Sequence, residues 1–125
     1  MKVRTAFFLF LILAAASCTN RAESEMQGSW QAYEILEEGV PLELDPAEIR
    51  FEFREDRGYS FFSTLNYREK GAFRVQAGYL YTRDSLQAGA IEKAVRIERF
   101  STDTLVLEMS DQGKNRLLKL HRSAE

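Results

Sequence analysis

Gly28-Ser29-Trp30-Gln31-Ala32-Tyr33-Glu34-Ile35-Leu36-Glu37 opens the folded part of the chain. Trp30, Ala32 and Glu34 fall on one parity, and Tyr33 and Ile35 on the other. Residues that alternate with period two, rich in aromatic and β-branched types, specify a strand. Trp30 is the chain's single tryptophan. One large apolar ring at the head of a β-rich chain predicts a plug for one end of a closed sheet.

Downstream the same pattern recurs. Glu48 to Arg54 sets Ile49, Phe51 and Phe53 against Arg50, Glu52 and Arg54. Glu55-Asp56-Arg57-Gly58 reads as a hairpin loop. The next strand, from Gly58 to Leu65, places Tyr59, Phe61, Ser63 and Leu65 together and leaves Phe62 on the opposite face. Asn66 to Glu69 reads as a turn. Gly71 to Val75 brings Phe73 and Val75 inward. In Tyr79-Leu80-Tyr81-Thr82-Arg83 both parities are compatible with burial. Glu92 to Phe100, Thr104 to Met109 and Arg116 to Arg122 complete the series, the second alternating Leu105, Leu107 and Met109 with polar or small residues. Between strands one and two, Leu42 to Ala47 leaves room for a short strand or a single helical turn around Asp45-Pro46.

This gives about eight strands with turn signals roughly every 8–12 residues. Short hairpins make sequential neighbours antiparallel. The fold class is therefore all-β: an eight-stranded antiparallel up-and-down barrel, with a two-sheet β-sandwich as the alternative.

Ahead of this domain lies a different kind of segment. Lys2 and Arg4 precede an apolar run from Ala6 to Ala16, and small residues lead to Cys18. That is the layout of a secretory signal, too short for the roughly 20 residues of a bilayer span. Ala15-Ala16-Ser17-Cys18 resembles a bacterial lipobox, with Ala15 where the motif usually has Leu. The resemblance implies residues 1–17 as a lipoprotein signal peptide and lipid attachment at Cys18. Multiple acyl chains there meet the condition for stable anchoring. Thr19, rather than an acidic residue, follows the cysteine, which by the sorting rule for such lipoproteins implies the outer membrane of a bacterial envelope. Residues 18–27 read as a polar, lipidated tether, and 28–122 as the barrel domain.

The ordered series Gly28-x-Trp30, Phe51-x-Phe53, Asp56-Arg57-Gly58-Tyr59, Gly71-Ala72-Phe73 and Ile97-x-x-Phe100-Ser101-x-Asp103-Thr104-Leu105-x-Leu107 resembles the lipocalin-like domain of small bacterial envelope lipoproteins. The family often has Trp at the position of Phe73 and Leu at that of Phe100. The resemblance implies barrel closure by Gly28 and Trp30 with an arginine packed on the ring. Arg122 is the first candidate for that arginine and Arg116 the second.

Chemistry is sparse. His121 is the single histidine, and Cys18 the single cysteine, is committed to the anchor. Neither a zinc site nor a nucleophile–base pair can be assembled from these, so no enzyme activity, metal or cofactor is expected. The acidic run Glu37, Glu38, Glu43, Asp45 and Glu48 lacks the spacing of a calcium loop. A net charge of −2 opposes nucleic-acid binding. The expected function is to hold a small apolar or amphipathic molecule in the barrel. Phe61, Ser63, Phe73, Tyr79 and Tyr81 are the candidate lining residues, with the polar end at Ser63, Tyr79 or Tyr81. The alternative is a packed barrel without ligand, acting through structural or protein contacts. Metabolic labelling with an alkynyl fatty acid should mark the chain through Cys18. Cys18→Ala should abolish the label and move the protein out of the membrane fraction; a labelled, membrane-bound variant contradicts the anchor.

Overall fold

A computed structural model describes residues 21–123. The proposed signal peptide and Cys18 lie outside the described residues. Nine strands form one sheet: β1 (Gly28–Glu37), β2 (Val40–Pro41), β3 (Arg50–Phe53), β4 (Gly58–Phe62), β5 (Arg68–Gln76), β6 (Tyr79–Asp84), β7 (Lys93–Phe100), β8 (Thr104–Asp111) and β9 (Lys114–Arg122). β1 and β3 to β9 pair antiparallel in chain order, and β1 pairs again with β9. That last ladder closes an eight-stranded barrel and rules out the open sandwich. β2 is an extra strand beside the far end of β1. A 3-10 turn, Pro46–Glu48, fills the linker, with the Asp45 side chain accepting from the Ala47 N–H.

The hairpins follow from local chemistry. Glu38-Gly39, Ala77-Gly78 and Gln112-Gly113 each put two consecutive residues at positive φ. This is the two-residue turn whose twist matches that of paired strands. Gly71 has a separate reason: a Cβ there would lie 1.9 Å from the Arg83 carbonyl oxygen.

Two bulges correct the simple alternation. One lies between Ala32 and Glu34. It resets the parity, so Ile35 packs on the core beside Trp30 and Ala32 while Glu34 turns outward to Lys119. The second lies between Ile97 and Arg99 and lets both Ile97 and Phe100 contact the core. Inside, Phe51 stacks on Phe53, and Phe61 and Phe73 extend the aromatic row with centroid separations of 4.6 and 4.8 Å. Leu105, Leu107, Leu118 and Leu120 fill the opposite wall. The outer wall carries ion pairs such as Arg96–Glu108 and Arg74–Glu92. Apolar inside and charged outside is the reverse of a membrane-spanning barrel.

One end is sealed. The Trp30 ring is fully buried and its Nε1–H donates to the Met26 carbonyl at 2.8 Å. Residues 21–26 are helical. Ala22 and Met26, one turn apart, face the core. Glu23 is buried, accepts from the Val75 N–H and pairs with Arg57. The described part of the expected tether is therefore a lid. Its polar composition hid the short apolar stripe. Arg122 lies 4.2 Å from the Trp30 ring centre and donates to the carbonyls of Thr102, Gln27 and Glu25. Gly28, at φ 122°, leaves space for it, because a Cβ there would meet the guanidinium at 2.7 Å.

Truncating such a ring costs about 3–5 kcal/mol, against about 5–15 kcal/mol for a whole domain. Trp30→Ala should lower the unfolding free energy read from urea titration by that margin. Native Trp30 emission should be blue-shifted; the spectrum of a solvated indole contradicts the seal.

Candidate functional site

The opposite end of the barrel is built differently. Ile35, Phe61, Val95, Ile97 and Met109 face inward but are only partly buried. Inward side chains here keep more solvent exposure than those deeper in the barrel, and we call this less covered end the cup. At its rim stands a polar cluster. Glu69 occupies the inward parity of β5, two residues before Gly71 and four before Phe73. Its side chain is 7% exposed. Tyr59 donates to Oε1 at 2.8 Å, and Tyr67 and Lys93 donate to Oε2 at 2.6 and 2.7 Å. The Tyr67 ring meets Phe61 edge-on at 6.3 Å. Lys93 is inward on β7, paired with Thr82 of β6. Its side chain remains more than half exposed.

Burial alone would raise the Glu69 carboxyl. Hydrogen bonds from Lys93, Tyr67 and Tyr59 outweigh it and hold the group below the ordinary glutamate range. The two phenols move the other way. Desolvation, then the bond to Glu69, raises Tyr59; the bond to Glu69, then desolvation, pushes Tyr67 up to about 12. Near neutral pH the cluster holds a carboxylate and two neutral phenols, with Lys93 donating to the carboxylate. All of the Glu69 oxygens are engaged.

The expected lining residues separate into three groups. Phe61 lines the cup. Phe73 faces inward but lies deep, sealed against Phe53. Ser63 sits in the turn after β4, where its N–H donates to the Tyr67 carbonyl, and lines a cleft on the outer wall. Tyr79 and Tyr81 point outward, because Leu80, Thr82 and Asp84 take the inward parity of β6. Tyr81 is covered by the Arg74 guanidinium at 4.0 Å. The polar groups clustered at this end of the barrel are thus Tyr67, Glu69 and Lys93, and Ser63, Tyr79 and Tyr81 are not among them. Glu69 places a buried charge inside the barrel. Reading Asn66–Glu69 as a turn concealed this residue; carrying the alternation of Phe73 and Gly71 back two residues reaches it. Carrying Val95 back two residues likewise reaches Lys93.

His121 faces outward and stacks on Tyr33 at 5.4 Å. Among the described residues no group of His, Cys, Asp or Glu side chains is arranged to hold a metal ion. Arg116 pairs with Glu37 and Asp111 on the cup side, away from Trp30. Of the acidic run, Glu37 holds that arginine, Glu38 accepts from the Asn115 N–H, and Asp45 caps the 3-10 turn.

No protein-family model matches the chain. No curated protein matches it either. Among solved structures it is similar to an uncharacterized protein from Bacteroides eggerthii DSM 20697, with a TM-score of 0.56 and 12% identity over 78% of this chain and 98% of that one. At this identity the likeness shows the fold alone, a closed antiparallel barrel.

The Glu69 cluster makes a signed prediction. A carboxyl lowered in the folded state adds stability above its unfolded pKa, about 4.3, and loses it as pH falls through the folded value. Glu69→Gln should cost about 1.5–3 kcal/mol at pH 7 and clearly less at pH 3, as read by urea unfolding at both. An equal cost at both pH values contradicts the charged cluster.

Proposed function

We propose that this chain is a lipid-anchored bacterial envelope protein of lipocalin-like build that holds a short amphipathic molecule in the unsealed end of its barrel. The observation that carries this reading is the contrast between the two ends. Trp30, Met26 and Leu120 at one end are fully buried, with Phe100 a partly buried ring beside Trp30, whereas at the other end Ile35, Phe61, Val95, Ile97 and Met109 all keep solvent exposure. An apolar cup with a few convergent polar groups is the usual form of a small-molecule site. The deep half is filled by rings, so the ligand is short. Its apolar part lies on Phe61 and Val95, and its polar end meets Tyr67 and Lys93. Lys93 spends one donor on Glu69 and keeps others for a hydrogen-bond-accepting head. Binding suits Glu69 better than proton transfer, because a carboxyl held below its ordinary range is a poor acid or base near neutral pH.

A packed barrel that acts through its surface is the second reading. Leu65, Ile91, Leu86 and Val40, all on connections at the cup end, are exposed and favour it.

A fluorescent short-chain fatty-acid analogue separates the two. It should bind the full chain and be displaced by medium-length acyl chains, and not by sugars or nucleotides. Phe61→Trp should weaken binding several-fold with the fold intact by circular dichroism. Absence of binding together with native mass spectra free of small molecules favours the packed barrel.

A further inference from the structure

Phe62 is the aromatic residue that alternation places on the wrong face of β4. The register puts it between two arginines: Arg50 of β3 and Arg68 of β5 are its cross-strand partners on either side. The three form a row across the outer wall. The Arg50 guanidinium lies 4.3 Å from the centre of the Phe62 ring. Arg50, Phe62 and Arg68 line a single cleft of about 560 Å³, with Ser63 and Asn66 as further polar lining and Glu48 as its carboxylate.

The arginines of the row are also without an ion pair, a state they share with Arg83 and Arg99 among the described residues. Arg54, Arg74, Arg96 and Arg116 are each within 4.0 Å of a carboxylate. Arg50 and Arg68 make no ion pair among the described residues. Lys70, outward on β5 and also without an ion pair there, stands beside Phe62 and Arg68 in an adjoining cleft. Stacking on Phe62 occupies the flat face of the Arg50 guanidinium and fixes its plane, while the N–H groups along its edge stay free for a planar or tetrahedral oxyanion. Strands β3 and β5 are two sheet spacings apart, ~10 Å, so two flexible arginines from their facing positions can close on one anion between them.

We propose that the cleft over Phe62 is a second binding site, on the outer wall and adjoining the cup rim through Tyr67, that takes an oxyanion-bearing ligand between Arg50 and Arg68. The oxyanion is a phosphate or a carboxylate. Phe62 acts as the platform that orients Arg50, and Arg68 closes from the other side.

Isothermal titration of the full chain in detergent, at low salt, tests this with pyrophosphate and citrate as probes. At least one probe should bind saturably with one site per chain; pyrophosphate alone identifies a phosphate site, citrate alone a carboxylate site, and both a general oxyanion site. Arg50→Gln and Arg68→Gln should each weaken binding roughly ten-fold or more. Arg50→Lys should lose most of that affinity, because an ammonium lacks the stacked fork. Arg99→Gln, on the outer face of β7, removes the same charge and should leave binding unchanged. Arg68 is exposed, so Arg68→Gln carries the test if Arg50→Gln disturbs the strand. No binding of either probe overturns the proposal. So does a loss with Arg99→Gln equal to that with Arg68→Gln, which makes the effect one of diffuse charge.

Discussion

The packing of Arg122 on Trp30 is the interaction on which the barrel depends. The two residues are register partners on the ladder between β1 and β9, the ladder that closes the sheet. Arg122 joins two otherwise separate parts of the chain, the β7–β8 turn through the carbonyl of Thr102 and the segment before β1 through those of Gln27 and Glu25. Trp30 in turn holds the 21–26 helix through Met26. One guanidinium and one indole thus join the first strand, the last strand, the β7–β8 turn and the lid. A guanidinium stacked on a ring and satisfied by carbonyls keeps its charge without needing a carboxylate partner. A barrel closed in this way leaves only the two-residue β2 as an edge and is free to leave its other end unsealed.

That asymmetry is the physical content of the functional reading. At the Trp30 end the space between strands is filled by an indole, a helix and leucines. At the other end the inward residues of β7 retain exposure, and the polar demands of the interior converge on Glu69. A buried carboxylate is costly unless it is paired and hydrogen-bonded. Here Tyr59, Tyr67 and Lys93 supply both. The cluster sets the position of Tyr67 and Lys93 at the rim, and so the place where a polar ligand end would rest.

Much of the fold was legible in the sequence because the strands alternate cleanly. Phe51 and Phe53, Leu105 and Leu107, and Leu118 and Leu120 reveal both the period and the inward face. The site was less legible, for two reasons. Bulges shift parity, so Trp30 and Ile35 share the interior although alternation separates them. On β6 composition also misleads: two tyrosines face out under Arg74 and beside one another, while Thr82 and Asp84 face in. Inward polar residues are tolerated there because they have partners. Asp84 accepts from the N–H groups of Lys70 and Leu86. Such partners come from strands distant in sequence, which no local pattern announces. The lid was hidden by its brevity, since Ala22 and Met26 make only one apolar turn.

The claim that the interior is sealed at one end and open at the other is tested most directly by thiol accessibility. Val95→Cys places a thiol in the cup and Leu120→Cys places one in the sealed half; each is compared with the parent chain in its native state. With a small maleimide, Val95→Cys should react at a rate near that of an exposed thiol, and Leu120→Cys should react only on the timescale of global unfolding. Equal protection at both positions would mean a barrel filled throughout, and would contradict the account.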